Sequence, residues 1–177
     1  AIHQRASDRR PIALLLKQGS TAITAIIAVL KTGAPFVPLD AALPASRLQY
    51  MLDDVDATLI VTDDQCLEPT ANLARHNRGF VNLDRLDPGL PKQNLDIMIS
   101  PDDLSCILYT SGSTGVPKGV IHSHRNELHN ALHHTNSLAI GALDRPRVGA
   151  PPQSFSNRSS SLTVSGSLSS RAISIAR

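Results

Sequence analysis

The sequence predicts an α/β protein: alternating β-α-β units that form a mainly parallel sheet covered by helices. Two observations carry this prediction. Short apolar or β-branched runs alternate with amphipathic helical segments, and each run has the length of a strand. Neighbouring parallel strands need long crossover connections, which are usually helices, so this alternation favours a parallel sheet. The runs in the first part of the chain are "IALLL" at 12–16, "PFVPLD" at 35–40 and "ATLIVTD" at 57–63.

The first unit begins with residues 12–16, a continuous apolar run that predicts a central strand buried on both faces. A helix follows from Ser20, whose hydroxyl is a suitable N-cap, and Gly33 stands where a left-handed C-terminal residue is expected. Isoleucines and a leucine recur along this helix at helical spacing and predict its apolar face: Ile23, Ile26, Ile27 and Leu30.

The second unit begins with residues 35–40, a short strand whose two prolines predict an irregular or edge position. Pro44 then precedes a helix in which Leu48, Met51 and Leu52 share one face. The β-branched run at 57–63 is the next strand. Between 65 and 101 the pattern weakens, and "FVNL" at 80–83 is the convincing strand there.

Two extended segments and a polar helix follow. "LSCILYT" at 104–110 predicts a strand, "GVIHSH" at 119–124 resumes extended structure, and a helix is expected over roughly 124–136. Residues 1–144 are therefore interpreted as one domain. Residues 145–177 are rich in serine and arginine and hold no acidic residue, so they are expected to be disordered or out of frame.

Composition argues against several classes of function. A net charge of +2 and an aromatic content of 3% do not favour a nucleic-acid partner, although the Arg/Ser tail could bind anionic surfaces. The best apolar stretch, 23–30, is too short to cross a membrane.

Cys66 and Cys106 lack CxxC spacing and suit free thiols in the cytoplasm. Because the chain begins at Ala1 and enters a strand almost at once, we expect it to be cut from a longer protein.

The loop "YTSGSTGVPKG" at 109–119 has the ingredients of a phosphate site. Glycines allow positive φ and close approach, so that several backbone N–H groups can face one anion, and hydroxyls and Lys118 add further donors. The loop is not a Walker A element, because Pro117 precedes the lysine and Gly119 follows it. A flexible surface turn is the plain alternative.

Residues 107–118, "ILYTSGSTGVPK", resemble the AMP-binding signature of the adenylate-forming superfamily at every position. A second block, "AVLKTGAPFVPLDAALPASRLQYMLDD" at 28–54, is similar to the upstream segment of nonribosomal peptide synthetase adenylation domains. The resemblance implies an incomplete piece of the large N-terminal domain of these enzymes. "GVIHSHRN" also occurs among stand-alone ligases, so a fragment of an acyl-CoA ligase stays open.

The resemblance implies a two-step reaction. A carboxylic or amino acid attacks the α-phosphate of Mg²⁺-bound ATP, expels pyrophosphate, and passes as an acyl group to CoA or to the phosphopantetheine of a carrier protein. The residues that match the family's loop for the β- and γ-phosphates are Thr110, Ser111, Gly112, Ser113, Thr114, Gly115 and Lys118. The family's adenine, ribose and acyl contacts lie downstream, where only "QSFS" at 153–156 is reminiscent. No catalytic residue is therefore assigned, and we expect the chain to be inactive alone; an inactive remnant that binds phosphate or a partner is the main alternative.

Several histidines and aspartates are weaker candidates for metal ligands and catalytic acids. His122 with His124, and His129 with His133, have spacings seen in metal sites, but no Cys, Asp or Glu is expected to converge with them, and no metal site is predicted. The aspartates at 53, 54 and 56 are interpreted as a solvated helix end rather than as paired catalytic acids.

Overall fold

The computed structural model describes residues 1–6, 8–74, 78–91, 93–111 and 116–138. Its strands are β1 (Ile12–Leu15), β2 (Phe36–Leu39), β3 (Leu59–Thr62), β4 (Gly79–Asn82), β5 (Leu104–Ser111) and β6 (Pro117–Ser123). Its helices are α1 (Ile2–Arg5), α2 (Ser20–Leu30), α3 (Ala45–Asp54), α4 (Leu67–Leu73) and α5 (His124–Ser137). Short 3₁₀ turns cover Asp64–Cys66 and Leu83–Arg85.

The strands form one six-stranded sheet in the order β4-β3-β1-β2-β5-β6. All neighbours are parallel except β5 and β6, which form an antiparallel pair. The helices α2 and α3 lie in the crossovers from β1 to β2 and from β2 to β3. The predicted fold class, a mainly parallel sheet with covering helices, is confirmed.

The strand β1 lies inside the sheet and is buried on both faces. Ala13 and Leu15 pack into a core that includes Leu52 of α3, whereas Ile12 and Leu14 pack into a second core on the other face. Side chains alternate between the two faces along a strand, so a strand covered on both sides is apolar at every position. The central position predicted for the first apolar run is confirmed.

The buried face of α2 differs in part from the predicted one, in which Ile26 does pack against the core. Ala25 and Val29 are fully buried, whereas Ile23 and Ile27 are 44% and 50% exposed. Ser20 is the first helical residue and not the cap, because Gly19 holds the N-cap position. The prediction followed the larger side chains, but close packing of the helix against the sheet selects the smaller ones. Gly33 has φ +75°, as predicted for a left-handed residue after the helix.

The second strand is interior, so of the two alternatives predicted from the prolines, an irregular or an edge position, the edge position is wrong. On one side β2 pairs with β1 over four positions, and on the other it pairs with β5 where Phe36 lies opposite Cys106. Pro38 has no backbone N–H to donate. It lies beyond the position at which β2 and β5 pair, so the sheet accommodates it.

Other predicted elements are confirmed with small shifts of their bounds. The apolar face of α3 is Leu48, Met51 and Leu52, all buried. The helix α5 begins at His124 with Ser123 as its N-cap, and Ser123 and Asn126 form a reciprocal capping box. No residue of α5 is buried, and Leu128 and Leu132 are 62% and 64% exposed. The boundary at 144 and the tail 145–177 lie outside the described residues.

Leu52→Ala tests the core on the α3 face of the sheet. Leu52 is fully buried, so we expect the free energy of unfolding to fall by about 2–5 kcal/mol, measured by chemical denaturation. The matched control is Leu132→Ala, a leucine on an exposed helix face, which should change stability by less than about 0.5 kcal/mol. Equal effects of the two substitutions would show that this core is not packed as described.

Candidate phosphate-binding site

The predicted phosphate loop joins β5 to β6. In the antiparallel register Thr110 lies opposite Lys118, and Ser111 lies opposite Pro117. The structure therefore brings the two ends of the motif together as a strand pair. The remaining predicted residues, Gly112, Ser113, Thr114 and Gly115, lie outside the described residues.

The loop leaves the sheet at the carboxyl edge of the parallel strands. Because β5 is parallel to β2, its carboxyl end lies at the same edge as those of β1, β2 and β3. Open α/β sheets bind ligands outside the carboxyl ends of their strands. The segment is thus attached at both ends to strands, at the edge of the sheet where ligands bind in proteins of this class.

Thr110 and Lys118 form the described base of the loop. Directly opposed residues of an antiparallel pair place their side chains on the same face of the sheet. Both side chains are exposed, and the Thr110 hydroxyl donates to the backbone oxygen of Lys118 at 3.5 Å. The Thr110 and Lys118 side chains therefore project from opposed positions on one face of the sheet, and both are exposed.

Tyr109 attaches this hairpin to α3. Its hydroxyl donates to Asp54 Oδ2 at 2.6 Å and lies 3.2 Å from the backbone oxygen of Met51. Burial of the ring, together with the nearby Asp54 carboxylate, raises the pKa of the Tyr109 hydroxyl. Tyr109 is therefore a neutral donor that holds β5 against the end of α3. No periodicity in the sequence signals this contact, which joins residues 55 positions apart.

The aspartates at the end of α3 have structural partners. Asp54 accepts from Tyr109, Asp53 forms an ion pair with Arg78, and Asp56 pairs with Arg10 at 3.4 Å. Asp53 and Asp56 are exposed, as the prediction of a solvated face has it, but the prediction misses the tertiary contacts that all three aspartates make.

Little space is left for a side chain at Gly119. A Cβ at this position would lie 3.1 Å from Ile107 Cγ2 and 3.6 Å from the Tyr109 ring. Its φ lies outside the left-handed range, so the left-handed backbone suggested for the loop glycines does not occur at this position. Because Gly119 has no Cβ, the Tyr109 ring can lie over this position of the hairpin.

A second group of side chains lies farther along the same hairpin. Cys106, His122 and Glu127 place one potential ligand atom each within 4.8 Å of the others. His122 Nδ1 is 2.7 Å from Glu127 Oε1, and Cys106 Sγ is 3.7 Å from the same oxygen. Burial and the Glu127 carboxylate raise the pKa of the Cys106 thiol to about 12. The argument that no Cys or Glu converges with the histidines is therefore wrong for His122.

The fold and the position of the hairpin define an α/β protein with a candidate anion site at its carboxyl edge. A family model for AMP-binding enzymes matches residues 3–158. The chain belongs to this family of acid-adenylating enzymes, as the resemblance at 107–118 predicts.

Curated relatives agree with this assignment. Surfactin synthase subunit 1 of Bacillus subtilis (strain 168) is 36% identical over 119 residues, which are 67% of this chain and 3% of that protein. Tyrocidine synthase 3 of Brevibacillus parabrevis is 31% identical over 137 residues, or 77% of this chain and 2% of that protein. The chain thus spans a small part of the length of the relatives it matches.

Solved structures share the fold. An AMPPNP-bound form of the nonribosomal peptide synthetase FmoA3 superimposes with a TM-score of 0.70 at 21% identity, over 81% of this chain and 15% of that chain. Apo MatB from Rhodopseudomonas palustris superimposes with a TM-score of 0.66 at 22% identity, over 78% of this chain and 30% of that chain. The sheet is thus the fold of the N-terminal domain of adenylate-forming enzymes.

No described helix has the length and apolar character needed to cross a membrane.

Tyr109→Phe tests the attachment of the hairpin to α3. Loss of a half-buried hydroxyl that donates to a carboxylate should lower the free energy of unfolding by about 1–3 kcal/mol in chemical denaturation. Tyr50→Phe is the matched control, because the Tyr50 side chain is 42% exposed and its hydroxyl can bond to water. A Tyr109→Phe variant as stable as the Tyr50→Phe variant would show that this hydrogen bond does not hold the hairpin.

Proposed function

We propose that the chain is the part of an ATP-dependent, acid-adenylating enzyme that supplies the loop for the β- and γ-phosphates of ATP. The observation that carries the proposal is the β5–β6 register, which sets Thr110 beside Lys118 at the carboxyl edge of the sheet. Membership of the AMP-binding family is the reason for proposing an adenine nucleotide as the ligand. An AMPPNP-bound structure of the same fold supports this choice.

The loop acts by position and charge. The residues proposed to hold the phosphates are Thr110, Ser111, Gly112, Ser113, Thr114, Gly115 and Lys118. Hydroxyl and backbone donors bind the phosphate oxygens, and the Lys118 ammonium offsets the charge that develops on the departing pyrophosphate. Mg²⁺ would bind the phosphates themselves. The substrate carboxylate is the nucleophile, so the protein need not supply a nucleophilic side chain.

The complete enzyme would take a carboxylic acid, with an amino acid favoured. Surfactin synthase subunit 1 and tyrocidine synthase 3 are among the relatives that the chain matches, and nonribosomal peptide synthetase FmoA3 shares its fold. By analogy the acyl group passes to the phosphopantetheine thiol of a carrier protein domain; CoA is the alternative acceptor. Cys66 and Cys106 are buried free thiols, which favours a reducing, cytoplasmic location. No feature of the described residues favours a nucleic-acid or membrane partner.

Lys118→Ala tests the phosphate site directly. Loss of a charged donor to phosphate should weaken binding of Mg²⁺-ATP, measured by isothermal titration calorimetry, by about 10- to 100-fold. The control is Lys31→Ala: Lys31 follows α2, at the edge of the sheet where β2 begins, and donates to Asn94 at 2.8 Å. Wild-type affinity in Lys118→Ala, or an equal loss in Lys31→Ala, would contradict the site.

Substrate-dependent ATP–pyrophosphate exchange tests whether the chain is active alone. We expect none from the purified chain with any of the common amino acids, because no described residue is assigned to bind adenine or the acyl group. Exchange above background would overturn this proposal. Binding of Mg²⁺-ATP without exchange is the result expected of a fragment that supplies the phosphate loop, and the absence of Mg²⁺-ATP binding would contradict that role.

A further inference from the structure

We propose that Cys106, His122 and Glu127 bind one divalent transition metal ion of the zinc class. The proposal goes beyond the proposed function, because this group of side chains is distinct from the phosphate loop and needs no nucleotide. Each of the three side chains comes from a different element: β5, β6 and the first turns of α5.

The backbone brings the three groups together in a defined way. Cys106 and His122 are directly opposed in the β5–β6 register, so their side chains lie on the same face of the sheet. The capping box of Ser123 and Asn126 fixes the start of α5, and this places Glu127 over the strand pair. The three ligand atoms lie within 4.8 Å of one another, a separation that one central cation can span.

The donor set selects the class of cation. A thiolate sulfur, an imidazole nitrogen and a carboxylate oxygen are the three kinds of protein ligand that zinc accepts, with a water molecule as the fourth. The hard cations Mg²⁺ and Ca²⁺ take oxygen ligands and do not favour sulfur or imidazole. On binding, the thiol proton of Cys106 passes to solvent as the sulfur–metal bond forms.

Without a metal ion, one buried polar atom of this group has no hydrogen-bond partner, which favours a bound cation. The Nδ1 atom of His122 is buried, and among the described residues it has no hydrogen-bond partner of acceptable geometry, although Glu127 Oε1 is 2.7 Å away. An N–H bond at Nδ1 of His122 therefore does not point at Glu127 Oε1, although the two atoms are close. A cation would be bound through a lone pair of each atom, and the two atoms would move apart from 2.7 Å to reach tetrahedral positions around it. A simple His122–Glu127 ion pair is the competing description.

Cobalt titration of the metal-free 177-residue chain under reducing conditions tests the site, because Co²⁺ reports sulfur ligation through a thiolate-to-metal charge-transfer band. We expect one equivalent to bind with this band, and Zn²⁺ to displace it. Cys106→Ser should abolish the band. His122→Gln and Glu127→Gln should each weaken affinity at least about tenfold, since the loss of even outer-shell partners has effects of that size.

Two controls are matched to the ligands. Cys66→Ser removes the other buried thiol, and the double variant His129→Gln/His133→Gln removes the exposed histidine pair of α5; both should keep the band and the affinity. Circular dichroism confirms that each variant is folded. If a variant with a substituted metal ligand is not folded, the wild-type chain provides the test. Zn²⁺ should slow the alkylation of Cys106, mapped by mass spectrometry, and leave the alkylation of Cys66 unchanged.

Three outcomes would overturn the proposal. These are the absence of saturable Co²⁺ or Zn²⁺ binding to the wild-type chain, persistence of the band in Cys106→Ser, and loss of binding in the His129→Gln/His133→Gln control. The first outcome would leave the ion pair of His122 and Glu127 as the description of the group.

Discussion

The position of β5 is the constraint on which the candidate sites depend. It is parallel to β2 on one side and antiparallel to β6 on the other. The first pairing sets the carboxyl end of β5 at the edge of the sheet where ligands bind. The second sets Thr110 beside Lys118 near that edge and Cys106 beside His122 farther back. One strand thus positions both the proposed phosphate site and the proposed metal site.

Much of the fold could be predicted from the sequence, because its signals are local. The continuous apolar run of β1 reflects burial on both faces, and the spacing of Leu48, Met51 and Leu52 reflects one buried helix face. The phosphate motif could be recognised because its residues are contiguous in sequence. The structure adds the pairing of its two ends, while its central residues, Gly112 to Gly115, lie outside the described part of the chain.

The predictions that were wrong concern properties set by tertiary packing. The sheet packs against Ala25 and Val29 and leaves the larger Ile23 and Ile27 exposed, which periodicity does not distinguish. The prolines at 35 and 38 suggested an irregular or edge strand, but β2 is interior, and its pairing with β5 stops before Pro38. The Tyr109–Asp54 bond and the group of Cys106, His122 and Glu127 join residues far apart in sequence or on different elements. No spacing rule would find them without the β5–β6 register.

The narrow pairing between β2 and β5 has a mechanical consequence. Within the part of the chain that the structure describes, these strands pair at one position, whereas β1 pairs with each of its neighbours at four. The β5–β6 hairpin and α5 are therefore joined to the parallel sheet by a short seam, reinforced by the tyrosine at 109. Such a seam allows the hairpin to open as a separate cooperative unit while the β1–β3 core stays closed. Amide protons of the hairpin should then exchange with solvent ahead of those of the central strands.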